Sequence, residues 1–125
     1  LKDEVLEDGS GRTVLALPPA LAPVKAAILP LMKKDGLGEY GEKIFNDLKF
    51  DFNVIYEDKD SIGKRYRRQD AIGTPFCITI DHDSLVDNTV TLRDRDTMKQ
   101  ERVPVADLRR IIDEKTNFRN LLSKI

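Results

Sequence analysis

Apolar residues recur along this chain at two different spacings. After the breaks at Gly36 and Gly38, the residues Leu37, Tyr40, Ile44 and Leu48 fall three or four apart and make one stripe of an amphipathic helix. Residues 24–31, 52–56 and 76–80 are instead short, mostly apolar runs of strand length, as expected of buried strands. Between the last two runs lies a polar loop closed by Ser61. Its hydroxyl is suited to cap a helix running to about Ile72, and Gly73 is suited to end that helix in a left-handed turn. Residues 89–92 and 100–103 predict two further strands. Pro104 then suits the first turn of a helix with Val105, Leu108 and Ile112 inward, and Phe118, Leu121, Leu122 and Ile125 suggest a last amphipathic turn or two.

Ahead of these elements, residues 5–7 and 13–17 read as two short strands around the Asp8-Gly9 turn, and Pro18, Pro19 and Pro23 then exclude both helix and central strand. The domain proper is placed after this break. The resulting order, strand-helix-strand-helix-strand-strand-helix, belongs to the α/β class. Strand-helix alternation predicts a parallel core, and the later strand-strand step adds an antiparallel edge.

The chain has 125 residues, 40% hydrophobic and 34% charged, with a net charge of -1. That suits one domain with a sizeable core and a well-solvated surface. With no global field to attract a polyanion, any nucleic-acid site must come from local clustering of charge. The single cysteine, Cys77, sits inside an apolar run and reads as a buried thiol, which fits a reducing, cytoplasmic setting. No apolar run is long enough to span a bilayer, and no signal peptide is evident. A start at Leu1 suggests a piece of a longer protein.

Three stretches carry candidate chemistry. Four of the five residues from Lys64 to Arg68 are basic. On a helix with Ile62, Tyr66 and Ile72 inward, Lys64, Arg67 and Arg68 point outward and Arg65 lies on the flank. That arrangement suits phosphates or base edges, and it equally suits a solvated face with ion pairs to Asp70 or Glu57. In Arg93-Asp94-Arg95-Asp96, strand alternation puts the two arginines on one face. Arginine forks and aspartate acceptors can read base edges, and neighbouring salt bridges would use the same residues. The acidic loop Asp81-His82-Asp83 follows a strand, where ligands of open sheets gather. His82 could stack on an unpaired base; with no second histidine, a metal site is poorly supplied with ligands. No nucleophile elbow and no phosphate-cradling glycine loop is present, so the residues argue against an enzyme.

At this point a family resemblance becomes visible. Leu17-Pro18-Pro19-Ala20-Leu21-Ala22-Pro23-Val24-Lys25, the Ser61–Asp70 stretch (Ser-Ile-Gly-Lys-Arg-Tyr-Arg-Arg-Gln-Asp), Gly73-Thr74-Pro75-Phe76 and Thr91-Leu92-Arg93-Asp94-Arg95-Asp96-Thr97-Met98 occur in that order. Together they resemble the carboxy-terminal, anticodon-binding domain of dimeric class II glycyl-tRNA synthetases over about residues 13–115. The resemblance implies a five-stranded mixed sheet flanked by three helices, shared with the threonyl, prolyl and histidyl enzymes. Residues 1–17 would then be a trailing hairpin or linker from the catalytic domain of the same chain, and residues 18–125 the anticodon-binding domain. It further implies recognition of the tRNA-Gly anticodon loop, whose second and third anticodon bases are cytosines, through Lys64, Arg65, Arg68, His82, Arg93 and Arg95. It implies a cytoplasmic, homodimeric parent ligase using ATP and Mg, no cofactor or metal in this piece, and no membrane. His82 stands where similar sequences often have phenylalanine, and Lys64 where arginine is also found.

Two other readings compete. One is a non-catalytic relative, such as the accessory subunit of mitochondrial DNA polymerase, which binds nucleic acid without reading an anticodon. The other is a small α/β enzyme or ligand-binding domain. The synthetase reading requires positive side chains from one helix and two strand tips to converge on a single pocket for unstacked bases.

Overall fold

The computed structural model describes residues 2–5, 11–14, 19–32 and 34–116. Strands β1 (Lys2–Val5) and β2 (Gly11–Val14) form an antiparallel hairpin that is a sheet of its own, with β2 lying along a helix of the main body. After a short 3-10 turn at Pro19–Leu21 come β3 (Ala26–Pro30), α1 (Leu37–Leu48), β4 (Val54–Tyr56), α2 (Ile62–Ile72), β5 (Phe76–Ile80) and α3 (His82–Asp87). Then follow β6 (Thr89–Asp94), β7 (Gln100–Pro104), a 3-10 turn at Val105–Asp107 and α4 (Leu108–Thr116).

The five strands of the main sheet run in the order β4-β3-β5-β6-β7. β3 is parallel to both β4 and β5, while β6 and β7 are antiparallel additions at one edge. This is the mixed sheet expected, and its three longer helices cover it. α1 and α4 pack on one face, where Leu37, Ile44, Leu48, Leu108 and Ile112 meet Ile28, Ile78, Ile80, Val90 and Leu92 in the main core. α2 packs on the other face, where Ile62 and Tyr66 meet Ala27, Leu29 and Cys77. Strand alternation accounts for this division, since Ile28 and Ala27 are neighbours that point to opposite faces. Gly41 lets α1 lie close to the sheet: a Cβ there would come within 3.2 Å of the Tyr56 ring and 3.3 Å of Ile28.

Several boundaries differ from expectation, each for a local reason. The acidic loop expected at Asp81-His82-Asp83 is instead the start of a short helix over residues 82–87, because Asp81 caps it. The Asp81 carboxylate accepts from the Ser84 amide, and the Ser84 hydroxyl accepts in turn from the Asp81 amide. Pro104 closes β7 instead of opening a helix, and the turn at Val105–Asp107 leads into α4. The amphipathic turns expected around Phe118 to Ile125 lie outside the described residues.

Candidate nucleic-acid interface

The basic stretch is helical as the pattern predicts. The Ser61 hydroxyl accepts from the Lys64 amide at 3.3 Å, and Gly73 ends α2 with φ 85. The inner row of that helix, however, is not the apolar one expected. Ile62 and Tyr66 do face the sheet, but Ile72 is exposed, and the fully buried positions are Arg65, Gln69 and Asp70. Polar groups can take those places because each has an internal partner.

Arg65, 1% exposed, is the largest such group. Its Nη1 donates to the Pro30 carbonyl at 2.7 Å and the Glu57 carbonyl at 2.9 Å, and its Nη2 to the Leu31 carbonyl at 3.4 Å. These carbonyls lie at the carboxyl ends of β3 and β4, so the guanidinium ties two strand ends together; burial holds its pKa below the usual arginine value. Arg65 was expected on the helix flank, and it is inside because the strand-end carbonyls supply acceptors there. Beside it, Lys64 is exposed, while Arg68 is exposed but paired with Glu57 and with Asp60 at 2.6 Å. Gln69 fixes the other Glu57 oxygen at 2.9 Å and accepts from Thr74 at 2.8 Å.

Arg93 and Arg95 are both buried, but strand alternation does not relate them, because β6 ends at Asp94 and Arg95 opens the turn beyond it. Arg93 donates two hydrogen bonds to Asp70, at 2.9 and 3.2 Å, and its guanidinium lies 4.7 Å from the centre of the Tyr66 ring. Burial opposes its charge, but the bonds and the charge of Asp70 outweigh burial, and its pKa is raised. The Tyr66 hydroxyl shares a 2.6 Å hydrogen bond with Thr79. Under these groups the Cys77 thiol is pushed up to about 12 by burial, which leaves it without nucleophilic character. Arg95 donates to the Gly73 carbonyl at 2.9 Å and makes a two-point contact with the exposed Asp96 at 2.9 and 3.1 Å.

His82 opens α3 and is 54% exposed, with Nε2 2.9 Å from an Asp35 oxygen. It follows the carboxyl end of β5, whereas Arg93 is registered against Cys77 and Asp94 against Phe76 at the amino end. From Cys77, at the Arg93 level, three further residues of strand carry β5 roughly 10 Å to its end at Ile80, beyond which His82 lies. The six nominated residues therefore fall into two groups and do not share one pocket. Lys64, Arg65, Arg68 and His82 sit toward the carboxyl ends of β3, β4 and β5, and Arg93 and Arg95 sit toward the end of α2.

Between these groups is a surface that the sequence did not disclose. No helix among the described residues packs over β6 and β7 on the α2 side, where Gln100 and Arg102 of β7 are exposed beside half-buried Thr89 and Thr91. Arg102 grips the Asp81 carboxylate with both Nη atoms, at 2.6 and 2.9 Å. Its hydrogen bonds to Arg102 hold the Asp81 carboxyl below its ordinary range. Only the alternation of β7 hinted at Arg102; its partner depends on strand register, which no local pattern encodes. Among the described residues no group of three or more His, Cys, Asp or Glu is placed to hold a metal, and no helix is long and apolar enough to cross a membrane.

Comparison with known proteins bears on this geometry. A threonyl-tRNA synthetase RNA-binding domain from Cryptosporidium parvum Iowa II superposes with a TM-score of 0.71 at 26% identity, over 80% of this chain and 25% of that one. A prolyl-tRNA synthetase from the same organism shares the fold, with a TM-score of 0.73 at 21% identity over 88% of this chain and 25% of that one. In sequence, the chain is 56% identical over 117 residues to a glycine–tRNA ligase of Macrococcus caseolyticus, covering 94% of this chain and 25% of that protein. It is 58% identical over 105 residues to a glycine–tRNA ligase of Borrelia hermsii, covering 84% of this chain and 24% of that protein. The chain thus spans about a quarter of the length of the curated relatives it matches. Residues 25–115 match the family described as "Anticodon binding domain", and with the five-stranded mixed sheet in place, the chain belongs to that family.

Proposed function

We propose that this chain is the anticodon-reading module of a glycine–tRNA ligase, positioning tRNA-Gly for aminoacylation by a catalytic domain elsewhere in the same protein. The observation that carries the reading is the open polar half of the sheet on the α2 side, where Gln100 and Arg102 of β7 lie exposed beside Thr89 and Thr91 of β6. A sheet face without a helix is broad enough for splayed-out bases, and unpaired loop bases are what sequence-specific RNA readers grasp. The likeness to glycine–tRNA ligases over nearly the whole chain supplies the amino-acid identity.

In this reading Lys64, Arg68 and His82 meet the RNA directly. Arg65 and Arg93 hold the surface in shape through their buried partners. Arg95 orients the exposed Asp96 carboxylate, an acceptor suited to the exocyclic amine that each anticodon cytosine offers. ATP and magnesium act in the remainder of the parent protein, a cytoplasmic homodimer.

The test is a titration with the tRNA-Gly anticodon hairpin and with hairpins altered at either cytosine, at two ionic strengths. Weakening on either change supports the reading; equal binding to all three hairpins would make the chain a nucleic-acid binder that ignores the anticodon.

A further inference from the structure

Arg102 lies on the uncovered side of β7 in an unusual state for an exposed arginine: every donor is engaged. Nε donates to the Thr89 hydroxyl at 2.6 Å. Nη1 donates to Asp81 at 2.6 Å and the Thr91 hydroxyl at 3.3 Å, and Nη2 to Asp81 at 2.9 Å and the Thr89 carbonyl at 3.2 Å. A guanidinium has five N–H donors around its rim and none above or below its plane. With the rim saturated, the group has nothing left to give a phosphate or a base edge. Yet the side chain is 33% exposed, and what it still presents is its flat face and stem.

A planar, delocalised cation fixed in place is a surface on which a nucleobase stacks. Here the bracing is strong. Asp81 is itself held by Ser84 in the cap of α3, and Thr89 and Thr91 belong to the neighbouring strand, so the plane is braced from three residues at once. The Tyr66 ring, by contrast, already has the Arg93 guanidinium over it. We propose that Arg102, held by Asp81, Thr89 and Thr91 on the open half of the sheet, is a stacking platform for one unpaired base of the bound RNA loop. The inference rests on the anticodon-reading function and adds a contact residue, Arg102, and a mode of contact, stacking without hydrogen bonding.

The experiment compares the wild-type chain, Arg102→Lys and Asp81→Ser in binding the tRNA-Gly anticodon hairpin, read by fluorescence anisotropy at several salt concentrations. Hairpins carrying an abasic residue at each loop position in turn are measured alongside. Lysine keeps the charge and lacks the plane, so Arg102→Lys should weaken binding by roughly 5- to 150-fold. The slope of log K against log salt should stay unchanged, because no phosphate contact is lost. At one loop position the abasic loss and the Arg102→Lys loss should overlap instead of adding. Asp81→Ser keeps a capping side chain and frees part of the rim, so its salt slope should steepen by about 0.7 as a phosphate takes the released donors. Lysine binding as well as arginine, a slope lowered by Arg102→Lys, additive losses at every loop position, or an unchanged slope in Asp81→Ser would each overturn the platform. If the wild-type chain fails to bind the hairpin at all, the anticodon-reading function falls and the platform with it; wild-type binding with any of those four outcomes removes the platform alone.

Discussion

Replacing Asp70 by asparagine should be among the most damaging conservative changes in this protein. Asp70 is 1% exposed and Arg93 6% exposed, and the two meet through paired bonds of 2.9 and 3.2 Å. Above the pair lies the Tyr66 ring, and beside it the buried Cys77. Asparagine keeps the shape and removes the countercharge, so a guanidinium is left in a dry site with no anion to face. Breaking a buried pair from one side costs about 3–5 kcal/mol. With an m-value of about 2 kcal/mol/M in urea, the unfolding midpoint should fall by roughly 1.5–2.5 M, followed by circular dichroism. The double change Asp70→Leu with Arg93→Met should recover most of that loss, since apolar replacement of a buried pair is often neutral or better. An Asp70→Asn cost under about 1 kcal/mol, or a double variant no more stable than the worse single one, would refute the claim that this pair is a closed internal unit.

Other expectations test the packing and the ionisations. Gly41→Val should destabilise by about 1–3 kcal/mol in the same urea assay, because its side chain would meet Tyr56 at 3.2 Å, Ile28 at 3.3 Å and Ile80 at 3.4 Å inside the core. The Asp81 carboxyl is held low, first by the hydrogen bonds from Arg102, so its contribution is present above the ordinary carboxylate range and is lost as pH falls through the lowered folded value. Because the pair is partly open to solvent, that contribution is below about 1 kcal/mol, and acid titration of Arg102→Gln should show it gone. Cys77, buried and pushed up to about 12, should react with a disulfide reagent only through opening of the protein, so its labelling rate should rise with urea.

How much of this was legible in the sequence depends on the kind of information each feature uses. α2 was legible to the residue, because Ser61 and Gly73 act on their own backbone neighbours. The stripe of α1 was legible because Leu37, Ile44 and Leu48 bury at helical spacing. α3 was missed because a six-residue helix has too few positions to show a period, although the Asp81–Ser84 spacing was a cap in plain sight. The site arginines were visible as chemistry and not as places. Arg65 reads like its exposed neighbours Lys64 and Arg68, and only the ends of β3 and β4, distant in sequence, decide that it turns inward. Arg93 finds Asp70 across 23 residues, and Arg102 finds Asp81 across 21. Such pairings follow from sheet order and register, which hydrophobic periodicity leaves open.

The internal use of these arginines bears on how the surface can hold RNA. The chain carries a net charge of -1, and three of its most conspicuous cations, Arg65, Arg93 and Arg95, are buried against carbonyls and carboxylates. Arg68 and Arg102 are tied to acidic partners as well. Of the cations nominated for this surface, few remain to displace counterions from the phosphates, so affinity has to come mainly from bases fitted to the sheet and not from the backbone of the RNA. With about two phosphates neutralised, log K for the hairpin should fall with log salt at a slope near −1.5, far shallower than for a basic nucleic-acid binder. Specificity should accordingly hold up as salt rises, since the base contacts are not ionic displacements. A slope steeper than about −4, with discrimination between cytosine variants collapsing at high salt, would mean that charge does the holding and that the buried arginines come out to meet the RNA.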